Sequence, residues 1–175
     1  MIASSSIEPD VELRDFLRAQ NIRVGLSGGG SELVKVYGDW ERSTNDLPND
    51  FIVIYKNGEI GGVGMNVDYA DGYIMVSIYS KMNDDGSVKK NRTKKLLKQI
   101  DDLFLDKQIP DDDPIPDDKI YEKYKPIITD NYIFKHDAQR FITPTTPNIT
   151  SGYTITSLNL RWTTTTNFNK KPEKP

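Results

Sequence analysis

The sequence predicts an α+β fold: a mainly antiparallel sheet, a β-meander plus a late C-terminal strand, packed by two amphipathic helices, with extended loops or arms. Three observations carry this. "FIVIY" (51–55) and "YIMVSIYS" (73–80) are apolar, β-branched runs of strand length bounded by turn-forming residues. Two other segments place apolar residues at helical spacing. A last stretch, "YTITSLNLRWTTTT", alternates in the manner of a strand.

In chain order, Pro9 to about residue 21 reads as the first helix. Leu13, Phe16 and Leu17 share one face, and Glu12, Arg14, Asp15 and Arg18 cover the other. Ser5 and Glu8 have capping-box spacing, and Pro9 suits a first turn, where its missing N–H has no partner to lose. The glycines of "GLSGGGSEL" (25–33) break regular structure, and a short strand or arm is expected over 33–37. The meander occupies 51–79, with Asn57-Gly58 and Asp71-Gly72 as its turns and Val63–Val67 as the middle strand, because both turn dipeptides tolerate positive φ.

The second helix spans 88–105, with Ser87 as N-cap and Leu96, Leu97, Ile100, Leu103 and Phe104 as its buried stripe. Its charges oppose the helix dipole. Lys89, Lys90, Arg92, Lys94 and Lys95 occupy the positive end, and Asp101, Asp102 and Asp106 the negative one, each at a cost of a few tenths of a kcal/mol. Either a solvated face absorbs that cost or a partner supplies opposite charge at each end. Residues 107–148 read as a long insertion or arm, acidic and proline-rich to Pro126, with "NYIFKH" and "RFIT" as strand candidates. The closing strand covers 150–166, with a bulge near Ser157 where its alternation changes phase. Residues 167–175 read as a flexible tail, and the whole as a single domain.

Composition narrows the chemistry. The chain has 175 residues, no cysteine, one histidine and a net charge of −3. Thiolate nucleophiles, disulfides, Cys-based zinc sites and two-histidine metal sites are therefore excluded, and no global field draws the chain to polyanions. No apolar run reaches the roughly 18 residues of a membrane span. The first residues show neither a basic nor an apolar signal region, so no secretory signal is expected. Gly25-Leu26-Ser27-Gly28-Gly29 has the spelling of a nucleophile elbow, which needs a strand before the serine and a helix after it. Here a helix precedes and a strand is expected to follow. No G-K-[ST] follows the glycines, so a phosphate loop is not indicated either. The aspartates at 111–113 and 117–118 lack the spacing of a calcium loop. No catalytic, cofactor-binding or metal-binding residues are expected.

The order of elements, "ELRDFLRAQ", glycine segment, "DFIVIYKNGEIGG", "DGYIMVSIYSK", "TKKLLKQIDDLF" and a late "TSLNLRWTTT", resembles the tail terminator, or head–tail joining, proteins of long-tailed bacteriophages. It covers 11–106 and, at the closing strand, 150–166; the segment 107–148 is longer than the family's pattern. The resemblance implies a structural, non-enzymatic virion protein of the neck, assembled in the host cytoplasm and needing no cofactor. Its partners would be itself in a six-membered ring, the tail tube protein and the head connector or stopper, with incidental contact to DNA in the lumen and none to membrane. Another connector or tail-completion component, or a small binding or adaptor module, is the alternative. Candidate subunit contacts are Ser27, Gly28, Gly29, Gly30, Lys89, Lys90, Arg92, Lys94, Lys95, Asp101 and Asp102.

Overall fold

The computed structural model describes residues 8–26, 28–41, 47–61, 70–87, 89–105, 124–136, 143–148 and 152–164. Two helices and nine strands occur among them: α1 (Pro9–Ala19), β1 (Arg23–Gly25), β2 (Ser31–Leu33), β3 (Lys35–Gly38), β4 (Asp50–Gly61), β5 (Ala70–Lys81), α2 (Lys90–Asp101), β6 (Ile127–Ile128), β7 (Tyr132–His136), β8 (Thr143–Asn148) and β9 (Tyr153–Thr164). A 3-10 turn at Asp39–Glu41 follows β3. The main sheet runs β3-β4-β5-β9-β7-β6, and β8 also pairs with β9. Only β3–β4 is parallel, so the fold is α+β with a mainly antiparallel sheet, as the alternating strands predict.

Helix α1 starts differently from the expected capping box. Glu8 is the N-cap and its side chain makes no cap bond. It pairs instead with Lys56 of β4, which ties the helix start to the sheet. Ser5 lies outside the described residues. Leu13 and Leu17 are buried and Phe16 half-buried, so the predicted stripe is the packed one. Asn21, at φ 52°, ends the helix in the left-handed region, and its N–H reaches Arg18 O at 3.3 Å.

The meander is replaced by one long hairpin. β4 and β5 pair directly from Asp50↔Ser80 to Gly61↔Ala70. Asn57-Gly58 is not a turn: the register shifts between Asn57 and Glu59, so Gly58 is the extra residue of a bulge. Nor is Asp71-Gly72 a turn, since both residues lie inside β5, opposite Thr163 and Trp162 of β9. Local φ tolerance suits a turn and a bulge equally, and long-range pairing chooses between them. The expected strand at Val63–Val67 lies outside the described residues.

The bulge at Ser157 is also corrected. β9 pairs with β5 without interruption from Tyr153↔Lys81 to Thr163↔Asp71. The change of phase marks a change of face. Thr154, Thr156, Leu158, Leu160 and Trp162 lie on the helix-covered side, all buried. Tyr153 joins a second cluster on the opposite side with Phe51 and Val53, where Tyr79 stacks on Phe51 at 4.7 Å. At this end the sheet is buried on both faces, so both phases of β9 are apolar. The inner cluster packs Ile52, Ile54, Ile74, Val76 and Ile78 beneath α1 and α2, which adds Leu96 and Ile100; the helix ends at Asp101, short of the expected 105, and Phe104 joins the cluster from the turn that follows.

Asp10, in the first turn of α1, is buried and its Oδ1 has no hydrogen-bond partner. Burial raises its pKa, against the opposing pull of its own backbone N–H and of Lys56. A raised carboxyl pKa leaves stability intact below the unfolded value, near 3.8, and removes it as pH rises through the folded one. Asp10→Asn should therefore gain on the parent in melting temperature as pH goes from 3 to 7. A difference independent of pH would contradict a buried, titrating Asp10.

Candidate interface surfaces

The glycine segment is the turn of a hairpin. β1 and β2 pair antiparallel with Val24 opposite Glu32, and Gly29 and Gly30 have φ of 90° and 88°. Side-chain-bearing residues rarely adopt that region, which is why glycine stands there. Leu26 N donates to Gly30 O at 3.1 Å and Gly29 N to Leu26 O at 3.2 Å, closing the turn. Gly28, Gly29 and Gly30 are exposed, and Ser27 lies outside the described residues. A strand, not the expected helix, directly precedes the glycines. Another strand follows, so the helix required after an elbow serine is still missing.

Val24 fixes the hairpin by burial, and Gln99 of α2 fixes its edge. The Gln99 amide accepts from Arg23 N at 3.2 Å and donates to Arg23 O at 2.8 Å, occupying the donor and acceptor that another strand would use. The hairpin base and α2 are thus joined through Arg23 and Gln99. Gln99→Ala should cost on the order of 1 kcal/mol and speed hydrogen exchange at the Arg23 amide. Unchanged exchange would show that the edge is held otherwise.

Some of the charges of α2 meet partners within the chain. Helix α2 begins at Lys90, with Lys89 as N-cap and no side-chain cap bond. Ser87, the expected cap, belongs to the preceding turn, where its N–H donates to Asp85 at 2.9 Å. Arg92 contacts Asp50 of β4, whose side chain is 2% exposed. The contact is an ion pair rather than an aligned hydrogen bond, since both Asp50 oxygens and Arg92 Nε and Nη2 lack hydrogen-bond partners. At the other end, Asp101 Oδ1 lies 3.2 Å from Nε2 of the buried His136, and Lys98 reaches Asp102 at 3.1 Å. Lys94 and Lys95 are exposed, and neither takes part in an ion pair among the described residues.

A surface that the sequence reading missed lies between α1, the turn after α2, and β6. It is an open groove of about 360 Å³ lined by residues including Phe16, Leu103, Ile127 and Ile128. Across Phe16 and Ile128 it meets a second hollow of about 340 Å³. Ile128 is 66% exposed. Glu12 fastens the wall, accepting from Thr129 Oγ1 and from both nitrogens of Asn131. Glu12, Asp15, Asp102 and Asp130 line the two hollows together with Lys125, and Asp15 and Asp102 are paired within the chain with Arg14 and Lys98. The signal for it, an isoleucine pair after Pro126, is too short to distinguish an exposed edge from a buried strand.

The outer edge of β3 is closed by side chains. Arg18 Nε donates to Val36 O at 2.9 Å, Glu41 accepts from Gly38 N at 3.0 Å, and Arg14 and Arg18 both pair with Glu41. The described residues include no group of three or more potential metal ligands, and no described helix is long and apolar enough to cross a membrane. No protein-family model matches the chain, and comparison with curated proteins finds no match.

Proposed function

We propose that the protein is a non-enzymatic structural component of a bacteriophage neck, a tail terminator that assembles as a ring, caps the tail tube and joins the tail to the head connector. The order of elements carries this reading: α1, the glycine hairpin, the β4–β5 hairpin, α2 and the returning β9 follow the pattern of that family. The exposed surface supports it. Large apolar side chains stand exposed on the β1–β2 hairpin (Leu26, Leu33) and at the groove (Ile128), which suits contacts repeated around a ring.

Light scattering coupled to size exclusion tests the reading. A species several times the 19.9 kDa subunit mass, growing with concentration, is the expected result; a strict monomer at all concentrations would refute it. Reversing Lys94 and Lys95 to glutamate should weaken assembly and leave the melting temperature within a few degrees of the parent, because both side chains are exposed. Ring formation unchanged at physiological salt would remove these lysines from the interface.

A further inference from the structure

Opposite charges are separated along one stretch of the chain. Residues 88–100 carry six cations and no acid, and residues 101–118 carry eight aspartates and one lysine. Part of this is settled within one copy: Arg92 pairs with Asp50, Lys98 pairs with Asp102, and Asp101 lies against His136. Lys94 and Lys95 are left over. Both are exposed on α2, and neither takes part in an ion pair among the described residues. They stand within two turns of a helix start whose N-cap, Lys89, makes no side-chain cap bond, so the positive end of the helix dipole adds to their charge.

We infer that this face receives the acidic segment 111–118 of a second copy of the chain. The inference deepens the ring reading and rests on it. Two observations choose the occupant. The described chain stops at Leu105 and resumes at Tyr124; these two residues form an antiparallel bridge, and Lys125 N donates to Phe104 O at 2.8 Å. The stretch 106–123, which contains Asp111, Asp112, Asp113, Asp117 and Asp118, therefore departs and returns just beyond the C-terminal end of α2. The free lysines and the root of the acidic segment lie toward opposite ends of one helix. Copies arranged head to tail set the acidic end of each against the basic end of the next, a heterologous contact that repeats and closes into a ring where the rotation allows. Charge makes the second choice. A long polyanion laid on Lys94 and Lys95 would run along α2 onto Asp101 and Asp102, on a chain of net charge −3, whereas a short run of aspartates meets the lysines alone.

The test uses the full chain in four forms: parent, a basic-face variant (Lys94→Glu with Lys95→Glu), a segment variant (Asp111→Lys, Asp112→Lys and Asp113→Lys), and one chain carrying all five changes. Circular dichroism melting verifies that each folds. The two partial variants should assemble only at concentrations about tenfold or more above the parent's, because like charges then meet at every contact. Mixed in equal amounts, they should assemble as the parent does, since each copy then meets opposite charge on both sides. The five-change chain should assemble alone. Partial variants that both assemble like the parent would overturn the contact and leave the ring reading standing. A mixture that stays monomeric would also overturn it; assembly of the five-change chain would then place the pairing within one copy. A segment variant that assembles like the parent would overturn it even where the basic-face variant fails. In that case a rise in the parent's melting temperature with duplex DNA would give the face to nucleic acid. A parent that never assembles would remove the ring reading and this inference together.

Discussion

Trp162→Ala is expected to lower stability by about 3–5 kcal/mol, a fall of about 6–20 °C in melting temperature for a chain of this size. The side chain is 2% exposed and belongs to the inner core. On β9 it stands opposite Gly72 of β5 and Phe134 of β7, and its ring meets Tyr132 edge-on at 5.4 Å. Its removal therefore opens a cavity at the junction of three strands, where the rigid sheet cannot collapse around it. The indole N–H has no hydrogen-bond partner, so Trp162→Phe should cost much less, about 1–2 kcal/mol. Chemical denaturation of the two variants checks both values. Equal losses would mean that the indole N–H, rather than the ring volume, carries the effect.

The second large effect is expected at Asp50. Removing one member of a buried ion pair leaves the other charge without compensation, and the usual cost is about 3–5 kcal/mol. The Asp50 side chain is 2% exposed and that of Arg92 is 18% exposed, so solvent offers little relief. Asp50→Ala should fall in this range. The double variant Asp50→Leu, Arg92→Met should recover most of the loss, because the pair lacks aligned hydrogen bonds and contributes little beyond mutual neutralisation. If Asp50→Ala costs less than about 1 kcal/mol, the pair does not hold the start of α2 against β4. A double variant worse than the single would assign the pair a net stabilising role.

These two positions differ in how far the sequence exposes them. Trp162 is visible as an apolar residue in an alternating run, and its burial follows from the period of two. Asp50 is one aspartate in the polar stretch "LPND", with nothing local to mark it as buried or to join it to Arg92, 42 positions away. The same gap explains the charge pattern of α2. Judged along the helix alone, Arg92 and Asp101 oppose the dipole; in the folded chain, Asp50 and His136 stand against them. For the glycine segment, the sequence correctly locates a bend. The hairpin on which it sits depends on Val24 being buried and on Gln99 holding Arg23, the latter a contact across 76 residues.

The sequence by itself determined the fold class, the buried stripe of the first helix and that of the second as far as Ile100, the strands at 51–55 and 73–79, and the strand that closes the chain. All of these follow from periodicity and propensity over a few consecutive residues. Only the tertiary structure decided that Gly58 is a bulge and Gly72 a mid-strand residue, that the two phases of β9 face two cores, and that the hairpin base and α2 are joined through Arg23 and Gln99. The groove lined by Phe16 and Ile128 belongs with these. Each depends on which distant strand or helix stands opposite, and pairing partners far apart in the chain leave no local signature in its order of residues.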